Sequence, residues 1–199
     1  MSNPLKSALL KLTLFALAAG GGCLAAARAA RSASHDGKSS NAQMAMPQPG
    51  PEMEKLHFLI GSWDWDAEYV KSPMMPEGQK QKGWYKAQLG PGGFSIIADF
   101  EADAADHNEI GHEVLTWDPK KKAYDAITVG NGFPGAVIGA SHWEGDTLIT
   151  ESQFETGGQT MHLRSTYSKI QANSVHMEDS VQMGDGTYTL IWKGEATRK

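Results

Sequence analysis

The run "GSWDWDAEYV", residues 61–70, alternates strictly from its second residue. Trp63, Trp65, Ala67 and Tyr69 share one parity, and Ser62, Asp64, Asp66 and Glu68 share the other. Successive side chains of a strand point to opposite faces, so the run reads as a half-buried β-strand with an aromatic inner face. The same period of two recurs at approximately 81–89, 93–102, 110–117, 123–129, 136–143, 147–154, 160–169, 175–183 and 187–196. Turn formers separate the runs: "GPGG" at 90–93, "DPKKK" at 118–122, "EGD" at 144–146, "TGGQ" at 156–159, "QANS" at 171–174 and "GDG" at 184–186. These connections leave no room for crossover helices, so neighbours must pair antiparallel. A meander of that many twisted strands closes on itself or splits into two sheets, because closure removes unpaired edges. The pattern predicts an all-β fold, an antiparallel up-and-down barrel of about ten strands, with a two-sheet sandwich as the second arrangement.

Residues 1–29 read as a secretory signal peptide. Lys6 and Lys11 precede the apolar run "LTLFALAAGGGCLAAA", and Ala27-Arg28-Ala29 fits a small-x-small cleavage pattern. The run from Leu12 to Ala27 is 16 residues, short of the ~20 that span a bilayer. Export to the periplasm or medium is therefore expected, with no membrane span after cleavage. Lipidation of Cys23 is the second reading, although Gly20-Gly21-Gly22 stands where a lipobox carries leucine. Cys23 is the only cysteine, so a chain beginning near Ala30 has no disulfide, thiol nucleophile or thiolate ligand. Removing Lys6, Lys11 and Arg28 takes the formal charge from −5 to −8, the wrong sign for a nucleic-acid partner.

Residues 30–49 are small, polar and unpatterned, which predicts a disordered linker. Residues 50–199 then form a single domain. It opens on "GPEMEKLHFLIG", where Pro51 suits the first helical position and Glu52 and Glu54 suit a helix N-terminus. Met53, Leu56 and Leu59 or Ile60 recur at helical spacing. They predict one or two turns closing one end of the barrel.

The parities sketch an interior. Met161, Leu163, Ser165 and Tyr167 share a face, as do Val175, Met177, Asp179, Val181 and Met183. Phe94, Ile96, Ala98 and Phe100 form a third inner set, and Tyr188, Leu190 and Trp192 a fourth. Such side chains either fill a narrow barrel or line a small-molecule pocket, and ten strands are wide enough for the pocket. The candidate ligand-binding residues are Trp65, Tyr69, Phe94, Phe100, Met161, Tyr167, Met177, Asp179 and Trp192. Asp179 places a carboxylate inside, unless a β-bulge turns it to solvent. Its neighbour Glu178 points to the opposite face, so the two cannot share a site.

Catalytic patterns are sparse. The chain has no Gly-x-Ser-x-Gly elbow, His-Glu-x-x-His pair or EF-hand loop. "GNGFPG" at 130–135 matches a dinucleotide string, but Pro134 interrupts it and a strand follows, so it reads as a loop. His112, His142, His162 and His176 fall in strand runs, none paired at i, i+2, and no metal site is expected. His162 and His176 oppose the apolar parity, and His142 shares a face with Ile138 and Ala140. His112 goes with Ile110 and Val114, which makes it the candidate to point inward.

A short helix followed by Gly61-Ser62-Trp63 resembles the Gly-x-Trp start of calycin barrels. The wider set is "PGPEMEKLHFLIGSW", a glycine-led "GGF" strand, "GHEVLTWDPKKKAY", and an acidic-Gly turn before a last strand ending in Thr-Arg. Together these resemble the bacterial family catalogued as domain of unknown function 1579, from about Pro49 to Arg198. Thr116-Trp117-Asp118-Pro119 stands where the family pattern has Gly-Tyr-Asp-Pro, and "DAITVGNGF" replaces a Trp-Phe-Asp-like segment. The resemblance implies a calycin- or lipocalin-like barrel and assigns no activity. Nitrobindins, haem-binding relatives of this barrel class, imply a haem ligand at His112 if it faces an apolar pocket. The expected function is an exported barrel that binds an apolar or amphipathic small molecule, with no catalytic residue and no resident cofactor. A filled barrel working through a surface partner and a haem protein are the alternatives.

Overall fold

Pro51–Glu54 form a single α-helical turn, α1, in the computed structural model, which describes residues 47–72, 76–103, 108–156 and 159–199. The readings of residues 1–29 and of 30–46 lie outside those residues. No helix among the described residues is long and apolar enough to cross a membrane. A 3-10 turn, His57–Leu59, follows α1, and together they place Met53, Leu56 and Leu59 on the core side. A helix this short has no independent stability, so packing holds it. Leu56 is fully enclosed against Ile96, Leu115, Tyr124 and Leu148, and the Tyr124 hydroxyl donates to the Glu52 carbonyl at 2.8 Å. Trp117, at one of the departures from the family pattern, meets Tyr124 edge-on at 5.0 Å within this plug.

Ten strands follow: β1 Gly61–Tyr69, β2 Gln79–Leu89, β3 Ser95–Asp103, β4 Asn108–Asp118, β5 Ala123–Gly130, β6 Ala136–Glu144, β7 Thr147–Thr156, β8 Gln159–Ser168, β9 Ser174–Gln182 and β10 Tyr188–Arg198. Each pairs antiparallel with its sequence neighbour, and β1 pairs with β10, which closes the barrel. The expected up-and-down barrel is therefore the fold, and the sandwich is excluded.

The closure is pinned where the chain enters and leaves. Gly61 takes φ +122°, a conformation that side-chain-bearing residues avoid, and turns the 3-10 segment into β1. Trp63 lies opposite Arg198. Its indole Nε1 donates to the Leu59 carbonyl at 3.0 Å, and the Arg198 guanidinium stacks 4.2 Å from its ring. Arg198 also donates to the carbonyls of Phe58 and Ile60, groups that the end of the 3-10 turn would leave unpaired, and to that of Ala172 in the β8–β9 turn.

Strand parity follows the sequence except in four places. Phe94 precedes β3 and is 40% exposed, so it belongs to the connection. In β4, Gly111, Glu113, Leu115 and Trp117 face inward, and Ile110, His112 and Val114 face out. The outer surface of β4–β6 is itself apolar, with Ile110, Ile127, Val129 and Ile138 exposed, which is why the parity of Ile110 and Val114 misled. In β10, Leu190 pairs with Ser180 and Trp192 with Asp179, which leaves Ile191 as a β-bulge. The extra residue turns Tyr188 and Leu190 outward, and Tyr188 lies 4.0 Å beneath the Arg164 guanidinium. A bulge does sit next to Asp179, but on the partner strand, so Asp179 keeps its inward direction. Met183 lies beyond the end of β9 and is exposed.

Candidate functional site

Above the plug the barrel is not filled. A cavity of about 290 Å³ lies between Phe58, Leu59 and Trp63 at one end and Trp65 and Trp192 further along. Tyr85, Phe100, Tyr167, Val175, Met177 and Ala196 complete its apolar wall. Trp65 and Trp192 meet edge-to-face with ring centroids 5.6 Å apart. Two glycines make room for such rings. A Cβ on Gly83, the cross-strand partner of Trp65, would fall 2.2 Å from the Trp65 ring, and one on Gly111 would fall 2.3 Å from Phe100.

The polar members of the wall are few, and each of its two carboxylates takes a bond from a hydroxyl. The Tyr85 hydroxyl donates to the Glu113 carboxylate at 3.1 Å. Asp179 accepts a hydrogen bond from its cross-strand neighbour Ser165. Deeper along β1 and β2, the Trp192 indole donates to buried Gln81 at 2.8 Å. Burial pushes the Asp179 carboxyl up to about 6, with the Ser165 bond offsetting part of that rise. Burial likewise raises Glu113, against a smaller opposing effect of the Tyr85 bond. The phenols respond to the same surroundings. Burial first, then the charge of Glu113, holds Tyr85 and Tyr167 well above the usual tyrosine value. Tyr69 is pushed up to about 12 by burial, helped by Glu109 and Asp179.

Six of the nine residues predicted to bind ligand converge on this cavity: Trp65, Phe100, Tyr167, Met177, Asp179 and Trp192. Tyr69 and Met161 have the predicted inward parity but stand beyond the cavity wall, Tyr69 bonded to Gln81. Phe94 is on the outside of the barrel wall. Glu113 and Tyr85 were missed. Glu113 sits on a strand with apolar residues on both faces, so alternation alone assigns it no side; the parity it shares with Leu115 and Trp117 was the available signal.

The strand histidines all belong to the outer surface. His112 Nδ1 lies 2.6 Å from Asp99 and the side chain is largely exposed, so it is not a ligand in the interior. His142 contacts Glu144, and His176 bridges Glu178 and Glu195. His162 is exposed. The haem reading thus loses the residue that carried it. Among the described residues no group of three or more His, Cys, Asp or Glu is placed to hold a metal. Glu151 pairs with Arg164 on the outside, and Glu178 is on the face opposite Asp179, so neither carboxylate joins the interior.

Solved structures share the architecture at low sequence identity. The S-type phycobiliprotein lyase CPES from Guillardia theta is 9% identical, with a TM-score of 0.50 over 73% of this chain and 91% of its own. Rv2717c from M. tuberculosis is 13% identical, with a TM-score of 0.52 over 76% of this chain and 99% of its own. At such identities the likeness shows the fold, a calycin-like barrel, and no more. No curated protein matches by sequence. The model of one family matches residues 48–198, which include the plug, all ten strands and the closing Arg198, and the chain belongs to that family, described as Protein of unknown function (DUF1579).

Proposed function

We propose that this barrel is an exported binding protein that holds an apolar or amphipathic small molecule in its interior. The carrying observation is the 290 Å³ cavity, walled by aromatic side chains and Met177 with a few inward polar groups. That combination describes a small-molecule site better than a core, because close-packed interiors leave few voids larger than a water. Export rests on the signal-peptide pattern of residues 1–29, and N-terminal sequencing of protein recovered from the periplasm tests it. A new N-terminus near Ala30 supports it, and an intact Met1 in the cytoplasm overturns it.

Binding is tested by the tryptophans themselves. Trp63, Trp65 and Trp192 line the cavity, whereas Trp84, Trp117 and Trp143 do not. In NMR spectra of the protein titrated with a small aromatic alcohol, the first three indole N–H signals should move and the other three stay. Native mass spectrometry should also show a co-purified small molecule in the barrel. If all six signals stay fixed and no adduct appears, the interior is not a binding site, and the outer surface becomes the working part.

A further inference from the structure

Two carboxylates from opposite parts of the wall, Glu113 on β4 and Asp179 on β9, open into one cavity. Their immediate partners are neutral hydroxyls, Tyr85 for Glu113 and Ser165 for Asp179. Among the described residues, none of the side chains that line the cavity is Lys, Arg or His. A carboxylate has about four acceptor positions, so one hydroxyl each leaves most of that capacity unused. An ordinary core gains nothing from such groups, since an enclosed charge with no counter-charge is costly. The rest of the wall offers π-faces, which attract cations far better once water is removed.

Resting on the cavity reading above, we infer that the ligand is an organic cation, a protonated amine with an aromatic or alicyclic body. Its ammonium group is met by Asp179, and its body lies among Trp65, Trp192 and Phe100. Asp179 meets the ammonium beside Met177 and Trp192, its neighbour in sequence parity and its cross-strand partner, and its carboxyl, pushed up to about 6, is ionised at pH 8. The volume bounds the size. A water takes up ~30 Å³ of liquid, so a cavity of 290 Å³ has the room of about ten waters, which suits a ligand of one ring with a short side chain. An anion of the same shape meets two carboxylates, and a neutral ligand leaves them unpaired. A metal ion would need several oxygen ligands around one point, which the aromatic wall does not supply.

The test is a matched series at pH 8: 2-phenylethylamine, 2-phenylethanol and phenylacetate, near-equal in size and differing in charge. Dissociation constants come from calorimetry, with the indole signals of Trp63, Trp65 and Trp192 reporting the site. The amine should bind at least ~10-fold tighter than the alcohol, about 1.4 kcal/mol, and phenylacetate weaker than either. Asp179→Asn should remove the preference for the amine and leave the alcohol within about twofold. Equal binding of amine and alcohol by the native protein overturns the cation inference while leaving the cavity reading intact. An amine preference that survives in Asp179→Asn also overturns it. If none of the three compounds moves the three indoles, the cation inference falls, and the cavity reading falls with it when native mass spectrometry also shows no adduct.

Discussion

Replacing Asp179 with asparagine keeps the shape of the side chain, and its amide oxygen can accept the bond from Ser165, but the charge is gone. Enclosure raises the Asp179 carboxyl from 3.8 to about 6. Between those values the folded protein holds a proton that the unfolded chain has released, so stability falls as pH rises through the interval. Displacing a carboxyl's titration by one pH unit takes about 1.4 kcal/mol, so above pH 6 the ionised carboxylate costs the fold about 3 kcal/mol relative to acid conditions. Asp179→Asn should therefore be more stable than the native protein by about 3 kcal/mol at pH 8, and by roughly half a kcal/mol at pH 4. Urea unfolding at the two pH values measures this directly. At ~2 kcal/mol per molar, the midpoint should rise by about 1.5 M at pH 8. The carboxyls of Asp118 and Asp185, both held low by hydrogen bonds, weaken both proteins equally in acid and cancel in the difference. A gain of equal size at pH 4 and pH 8 would mean that the substitution acts by packing. A loss at pH 8 would mean that Asp179 is already compensated by a group inside the barrel, and the electrostatic reasoning would be wrong.

Leu56→Ala removes the fully enclosed side chain of the plug and should cost ~2–5 kcal/mol; an unchanged melting midpoint would show that the plug is not part of the core. Trp63→Ala should cost ~3–5 kcal/mol, since the residue is 3% exposed and carries both the Leu59 bond and the Arg198 stack. Phe94→Ala should leave binding of the phenylethyl compounds unchanged by calorimetry, and an altered affinity would return that ring to the site. Glu178 first, and then Glu195, hold His176 protonated above its usual 6.5. That stabilisation is complete below pH 6.5 and lost as pH rises through the folded value, so His176→Gln should destabilise more at pH 6 than at pH 9 in urea unfolding.

The order of strands and turns was legible because it is local. Period-two alternation between "GPGG", "DPKKK" and "EGD" forces antiparallel neighbours whatever surrounds them. The plug was legible for the same reason, from Pro51 and the spacing of Met53, Leu56 and Leu59. Most of the cavity wall was legible too, because Trp65, Phe100, Tyr167, Met177 and Trp192 sit in strands with one clearly apolar face. His112 and Glu113 were not, because β4 is apolar on both faces, and only packing against β3 and β5 decides which face turns in.

The sequence by itself determined a ten-stranded antiparallel meander with a helical plug and an aromatic inner face, since each follows from residues close together in the chain. Tertiary structure alone decided the sidedness of β4, the bulge at Ile191 and the opening of Glu113 and Asp179 into one cavity. Those depend on register between strands, where one extra residue moves every following side chain to the other face.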